Sequence, residues 1–212
     1  MLYGPVPLLP YPGAAMIKPD PRRASQSGYS LVETMFIVGI MGVLSGIAVV
    51  QLGSTRSVLK GDAAMRSTMA MMTQAREIAI TQRRNMRLVF DANSRIQIIR
   101  ENVSGPDPTT TISTAFFEGP QYLKLVSTDT PDAFGSTDPN VSVYFYPNVS
   151  GNPPEVKFTS EGKFVNGNGE SINGTILTAL PNEPLSTRAV TIMGSTGRIR
   201  AFRWNGIKWD QV

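Results

Sequence analysis

The chain contains no cysteine and no histidine in 212 residues. Without cysteine there is no disulfide to staple a fold, no thiolate nucleophile and no thiolate metal site. Without histidine the commonest general base and the commonest metal ligand are both missing. An enzyme built from this chain would have to work through carboxylates, lysine or serine, and no motif for such chemistry stands out. Ser160-Glu161 and the scattered aspartates read as solvated loop residues. The expectation is a protein that is not an enzyme and uses no cofactor and no metal.

Charge and proline are missing from one region in particular. No charged residue occurs in residues 34–55, and no proline in residues 34–105. Residues 34–52 are uncharged and apolar, and at about 1.5 Å per residue a helix of this length just crosses a hydrocarbon core of roughly 30 Å. Lys18, Arg22 and Arg23 precede the run. A basic flank stays on the cytoplasmic side, which puts the C-terminal portion across the membrane. An ordinary secretory signal has its small-residue cleavage site after the apolar run, whereas here Gly28 and the single carboxylate Glu33 come before it. Gly39, Gly42, Gly46 and Gly53 lower the intrinsic stability of such a helix. Gly42 and Gly46 also form a small-xxx-small pair that lets membrane helices approach closely.

Beyond the run the helical pattern continues. Val58, Met65, Met69, Met72, Ala75 and Ala79 recur at three-, four- and seven-residue intervals, while Arg56, Lys60, Ser67 and Gln74 point elsewhere. This predicts an amphipathic helix continuing to about Arg83, with a methionine stripe lying on a sheet. After Arg84 the period becomes two. Residues 87–90 and 96–100 read as a hairpin, followed by strands at 122–127, 141–146, 156–159, 175–180, 189–193, 198–204 and 208–211. Polar tracts at 104–113, 129–140, 148–154 and 166–174 read as loops. The fold class is α+β: a long N-terminal helical spine, transmembrane and then amphipathic, packed on an antiparallel β-rich head of a size that supports one core.

The local order Gly28-Tyr-Ser-Leu-Val-Glu33 followed by the apolar run resembles the type IV pilins and pseudopilins. The resemblance implies a leader, residues 1–28, removed by prepilin peptidase after Gly28, and N-methylation of the new amino terminus, Tyr29. It implies a membrane and assembly helix over 29–53, an amphipathic continuation over 54–86 and a periplasmic head over 87–212, anchored by one pass in a bacterial inner membrane. It also implies that Glu33 meets the terminal amine of a neighbouring subunit during filament assembly, since a carboxylate entering a membrane is costly unless a positive charge meets it. Two departures from the pattern are visible. Many pilins carry a proline midway along the anchor, and this chain has Val50 near there. The leader is long and proline-rich from Pro5 to Pro12, so that Met16 as well as Met1 is a candidate start.

In the C-terminal half, Phe158-Thr-Ser-Glu-Gly162, Arg188-Ala-Val-Thr-Ile192 and Gly197-Arg198-Ile199-Arg200 resemble the GspH/FimT branch of minor pseudopilins and minor pilins. One arm of that branch serves type II protein secretion. Some members of the other bind DNA through a Gly-Arg-x-Arg motif. Basic residues are segregated here: residues 54–87 carry seven cations against two carboxylates, 88–187 five against eleven, and 188–212 five against one. On a strand Arg198 and Arg200 share a side with Phe202 and Trp204, and guanidinium groups beside aromatic rings suit phosphates and unstacked bases. The same arginines equally suit a structural role, covering rings and pairing with carboxylates. The net charge of +4 falls to +2 without the leader, since Lys18, Arg22 and Arg23 go with it against Asp20. The resulting expectation is a minor pseudopilin of a type II secretion pseudopilus, whose partners are other pilin subunits, prepilin peptidase, the inner membrane and cargo. The alternative is a DNA-uptake minor pilin working through Arg198 and Arg200.

Overall fold

The computed structural model describes residues 28–91, 94–101, 109–126, 130–138, 140–146 and 155–212, with the side chains of 50–54 excepted. The leader up to residue 27, its basic flank and the loop at 148–154 lie outside the described residues. The chain divides into two compact units, 1–46 and 47–212.

Helix α1 spans Leu31–Gln82 without a proline to interrupt it. Within the first unit its described side chains are all exposed. Leu31–Val49, with a mean hydropathy of 2.0, is long and apolar enough to cross a membrane. The far end of α1 closes with two backbone bonds, Arg84 N–H to the Ala79 carbonyl at 3.1 Å and Arg83 N–H to that of Ile80 at 3.3 Å. Arg83 takes the left-handed conformation, φ 50°, that this type of helix ending requires.

The described residues of the second unit form eleven antiparallel strands in two sheets. In chain order they are β1 (Met86–Asp91), β2 (Arg95–Glu101), β3 (Thr109–Phe116), β4 (Gln121–Tyr122), β5 (Val143–Tyr146), β6 (Val156–Phe158), β7 (Phe164–Asn166), β8 (Asn173–Leu180), β9 (Glu183–Met193), β10 (Arg198–Trp204) and β11 (Trp209–Gln211). The first sheet runs β3-β2-β1-β6-β7; the second runs β11-β10-β9-β8-β4, with β5 also paired to β8. The α+β class and the antiparallel head are as expected from the sequence.

The methionine stripe does pack. Met65, Met72, Ala75 and Ala79 are buried, Met69 is half-buried, and all share one core with Leu88, Phe90, Ile96 and Ile98 of the first sheet and Ile176, Val190, Ile192 and Ala201 of the second. Phe145, Phe158 and Phe164 fill the space between the sheets, with ring centroids 5.5 Å and 5.0 Å apart along the chain of contacts. Alternation explains the division of labour on β1, where Met86, Leu88 and Phe90 point inward and Arg87, Val89 and Asp91 do not.

Several strands differ from the sequence reading. The strand expected at 122–127 is reduced to β4, because its pairing with β8 ends at Tyr122 and Lys124 beyond it bonds the carbonyls of Ser136 and Asp138 instead. β3 lies largely in the tract read as a loop at 104–113, because its Thr-Thr-Thr-Ile-Ser-Thr run is polar; β-branching, which suits a half-exposed pleated strand, outweighs polarity there. β7 and the start of β8 intrude on the loop read at 166–174. β9 starts at Glu183, six residues before Ala189, since its polar residues Ser186, Thr187 and Arg188 are buried, Ser186 bonding the Leu180 amide across the hairpin and Arg188 bonding Asp62 of α1.

Tyr122 links the two sheets. Its ring packs edge-on against Phe90 and Phe117, and its hydroxyl donates to the Arg95 carbonyl at 3.0 Å. Burial, with the Asp91 carboxylate adding, raises the pKa of the phenol above its ordinary 10. The fold therefore favours the neutral phenol: its contribution is complete below about pH 10 and declines as the pH rises further. Tyr122→Phe is expected to cost about 0.5–1.5 kcal/mol at neutral pH through the lost hydrogen bond, and to make the alkaline loss of stability shallower. Urea midpoints measured from neutral pH to about pH 11 check this; an alkaline limb of unchanged slope would remove Tyr122 as its cause.

Candidate functional site

Gly28 to Ser30 precede α1 in an extended or irregular backbone, and Tyr29 is exposed. Glu33 is the acidic residue of the first turn of the helix, where a carboxylate is favoured by the helix dipole. It is exposed and makes no ion pair among the described residues. Every described side chain around it, from Leu31 to Val49, is exposed as well, which leaves a long apolar surface with one carboxylate at its start.

The second place is the strand that carries the C-terminal arginines. β10 pairs with β9 in the register Arg198↔Met193, Arg200↔Thr191 and Phe202↔Ala189. Ile199 and Ala201 face the core under α1, whereas Phe202 joins Leu177, Ala189 and Trp209 in a separate small cluster. Arg198, Arg200, Phe202 and Trp204 thus share one face of the second sheet, as alternation requires. Phe202 and Trp204 are buried there, and Trp204 is in edge contact with Trp209 at 5.4 Å. They are not open platforms for a base.

A short 3-10 turn, Pro131–Ala133, lies over this face. Asp132 and Ala133 both have positive φ, 60° and 53°. Two bonds hold the turn: Arg200 Nη1 donates to Asp132 Oδ1 and the Thr191 hydroxyl donates to Asp132 Oδ2, each at 2.8 Å. Arg198, by contrast, is exposed and has no ion pair among the described residues. Asp132, Phe134, Thr191, Met193, Arg198 and Arg200 line a cavity of about 90 Å³. Among the described residues, then, Arg198 has no counter-charge and Arg200 is already neutralised.

Gly197, the first residue of the Gly-Arg-x-Arg sequence, has a structural reason to be glycine. Its φ is +63°, and a Cβ there would collide with the carbonyl oxygen of Gly162 and sit 2.7 Å from Arg76 Nε. Arg76 reaches from α1 to clasp both turns, donating through Nε to the Gly162 carbonyl at 3.2 Å and through Nη2 to the Thr196 carbonyl at 3.1 Å.

The remaining C-terminal cations converge on Asp62 of α1. Arg188, fully buried, donates Nε–H to Asp62 Oδ1 at 2.6 Å, and Arg203 donates to Oδ2 at 2.8 Å. The other Arg188 nitrogens reach the carbonyls of Leu185 and Thr187 at 2.8 Å and Val58 at 3.2 Å. Burial lowers the Arg188 pKa from its ordinary value, and Asp62 works against that shift. Sequence reasoning missed Asp62, Asp132 and Arg76. The available signal was Asp62 itself, one of only two carboxylates in the basic stretch 54–87. Ser160 and Glu161 are exposed in a turn where Glu161 pairs with Lys163 at 2.7 Å, which also lowers its pKa. No group of three or more acidic residues that could hold a metal occurs among the described residues.

The described residues thus define an α+β protein with a helix whose exposed first portion is of membrane-spanning length, and a two-sheet antiparallel unit. Among solved structures the chain is similar to the type IV minor pilin FimU of Pseudomonas aeruginosa strain PAO1 in two crystal forms. Identities are 15% and 16%, coverage is 70% of this chain and 91% and 96% of those chains, and the TM-score is 0.43 in both. It is also similar to the minor pseudopilin EpsH from the Type 2 Secretion System of Vibrio cholerae, at 12% identity over 68% of this chain and 97% of that one, with a TM-score of 0.43. No family model and no curated protein matches the chain.

Proposed function

We propose that this chain is a pilin-like minor subunit, anchored in a bacterial inner membrane with its head in the periplasm, that assembles through α1 into the pseudopilus of a type II secretion system. The observation that carries the reading is the combination at the N-terminus: Gly28 and Tyr29 immediately before α1, a single exposed carboxylate in its first turn, and an exposed apolar stretch to Val49. In this reading prepilin peptidase cuts after Gly28, Tyr29 becomes the methylated terminus, and Glu33 pairs with the amine of a neighbouring subunit.

The test co-expresses the full chain with prepilin peptidase and its partner subunits. Processed protein should begin at methylated Tyr29. Glu33→Ala should be processed normally yet enter cross-linked multimers roughly ten- to a hundredfold less, because a bond between charged groups contributes ~1.5–3 kcal/mol. Wild-type assembly by Glu33→Ala would remove the registry role. An unprocessed chain would remove the pilin-like reading altogether.

A second reading, DNA uptake through Arg198 and Arg200, is favoured by the exposed, unpaired Arg198 beside the cavity. Asp132 on Arg200 and the burial of Phe202 and Trp204 weigh against DNA binding at this face. If DNA is the ligand, binding should weaken with salt and largely vanish in Arg198→Ala/Arg200→Ala, because phosphate contacts release counterions. Absence of binding at low salt by folded protein would leave these arginines structural.

A further inference from the structure

The turn Pro131–Ala133 holds a conformation on the Arg198–Arg200 face that its residues do not adopt freely. Asp132 and Ala133 are successive residues at positive φ, 60° and 53°, a region that costs any residue with a Cβ. Strain of this kind persists only where the surroundings enforce it, and it gathers at switches. The enforcing contacts are few: the bonds from Arg200 and Thr191 to Asp132, the burial of Pro131, and the Ala133 amide on the Thr130 carbonyl at 3.3 Å. Beyond the turn a separate anchor holds the chain, since Lys124 Nζ donates to the carbonyls of Ser136 at 2.7 Å and Asp138 at 3.3 Å.

The bridge from Arg200 to Asp132 is also incomplete. Oδ1 takes Nη1 and Oδ2 takes the Thr191 hydroxyl, so the guanidinium gives this carboxylate one bond and not the parallel pair that its planar fork can give an oxyanion. Arg200 Nε is buried with no hydrogen-bond partner among the described residues. Nor is the pair sealed from water. Its side chains are 30% and 20% exposed, which makes it easier to part than the buried pair of Arg188 and Asp62. Arg198, without a counter-charge among the described residues, lines the same cavity of about 90 Å³. One water takes a share of roughly 30 Å³, so the cavity is on the scale of a single tetrahedral oxyanion.

We propose that Asp132 is an internal stand-in for a phosphate-class oxyanion: the turn closes the Arg198–Arg200 site in the free protein, and an oxyanion that engages both guanidinium groups displaces Asp132 and lifts the turn. The inference deepens the second reading and rests on its premise that these arginines take phosphates; it adds that the site is closed by default. The Asp132 carboxylate has the charge of the ligand it keeps out, and its tether to the same chain keeps it at a high effective concentration. Release of two strained residues offsets part of the cost of breaking the two bonds to Asp132.

Binding of inorganic phosphate and of a short oligothymidylate would be measured at low salt for the full chain in uncharged detergent, as wild type, Asp132→Asn and Glu183→Gln. Amide hydrogen exchange of residues 130–138 would be followed with and without each probe, and urea midpoints would restrict the comparison to folded protein. Glu183, exposed at the other end of β9, gives the same change of net charge away from the site. Asp132→Asn should bind both probes several-fold more tightly than Glu183→Gln does. In the wild type a bound probe should speed exchange in residues 130–134, and in Asp132→Asn that exchange should already be fast without one.

Equal gains in Asp132→Asn and Glu183→Gln would reduce the effect to net charge and overturn the proposal. So would wild-type binding that leaves exchange in the turn unchanged or slower, because the ligand would then sit beside Asp132 without displacing it. Failure of folded Asp132→Asn to bind either probe overturns the site itself. The two probes separate the remaining failures. Tighter phosphate binding with no oligothymidylate binding keeps the closed site and removes DNA as its ligand, whereas oligothymidylate binding that ignores Asp132→Asn keeps the DNA reading and removes the stand-in.

Discussion

Asp62→Ala is expected to destabilise the second unit by about 3–5 kcal/mol, the range found when one member of a buried ion pair is removed. The reason is Arg188, whose side chain is fully buried and whose counter-charge among the described residues is Asp62. Its three carbonyl acceptors remain in the variant and soften the loss, but carbonyl dipoles do not replace a carboxylate in a poorly solvated interior. Arg203, which keeps access to water, adds little. Asp62→Asn, retaining an acceptor without the charge, should fall between. The double variant Asp62→Leu/Arg188→Met should recover part of the loss, held back by carbonyls of Leu185, Thr187 and Val58 left without this donor. Urea unfolding of the full chain in detergent measures all three. A loss below about 1 kcal/mol for Asp62→Ala, the scale of an exposed pair, would mean that the guanidinium finds other compensation.

Gly197→Ala should be nearly as damaging, for a steric reason. Left-handed backbone alone costs an alanine about 1–2 kcal/mol. Gly169, with φ +85° and nothing within 4 Å of its added Cβ, isolates that cost. At Gly197 the new methyl group also meets the Gly162 carbonyl, and a backbone atom in a turn held by Arg76 yields only if the turn moves. Overpacking of this kind typically adds about 1–3 kcal/mol. Gly197→Ala should therefore lose roughly 2–5 kcal/mol against about 1–2 for Gly169→Ala. Thermal or urea midpoints of the two compare the terms directly; equal losses would mean that the Arg76 clasp does not dictate the glycine. The outcome also bears on any binding assay, since a Gly197 variant displaces Arg198 and Arg200 by unfolding their turn and not by removing a ligand contact.

Much of the fold was legible in local pattern. Residues 34–52 announce an apolar helix of membrane-spanning length by composition, and the spacing of Met65, Met72, Ala75 and Ala79 announces a buried helical face. β10 was bounded correctly because alternation and β-propensity agree along it. β3 was not, because three consecutive threonines read as polar before they read as β-branched. The candidate site was legible only in its residue types. Nothing in the order of residues indicated that Arg200 would be neutralised by Asp132, 68 positions away, while Arg198 was left free.

By itself the sequence determined that this protein has a membrane-length apolar helix led by a single carboxylate, a methionine-faced helix continuing from it, and a β-rich head with neither thiolate nor imidazole chemistry. These properties are sums over neighbouring residues, and hydropathy and periodicity read such sums directly. Only the tertiary structure decided which charges remain available, because pairing depends on distance through space. Asp62 meets Arg188 across 126 residues and Arg76 reaches Thr196 across 120, separations at which no local pattern carries a signal.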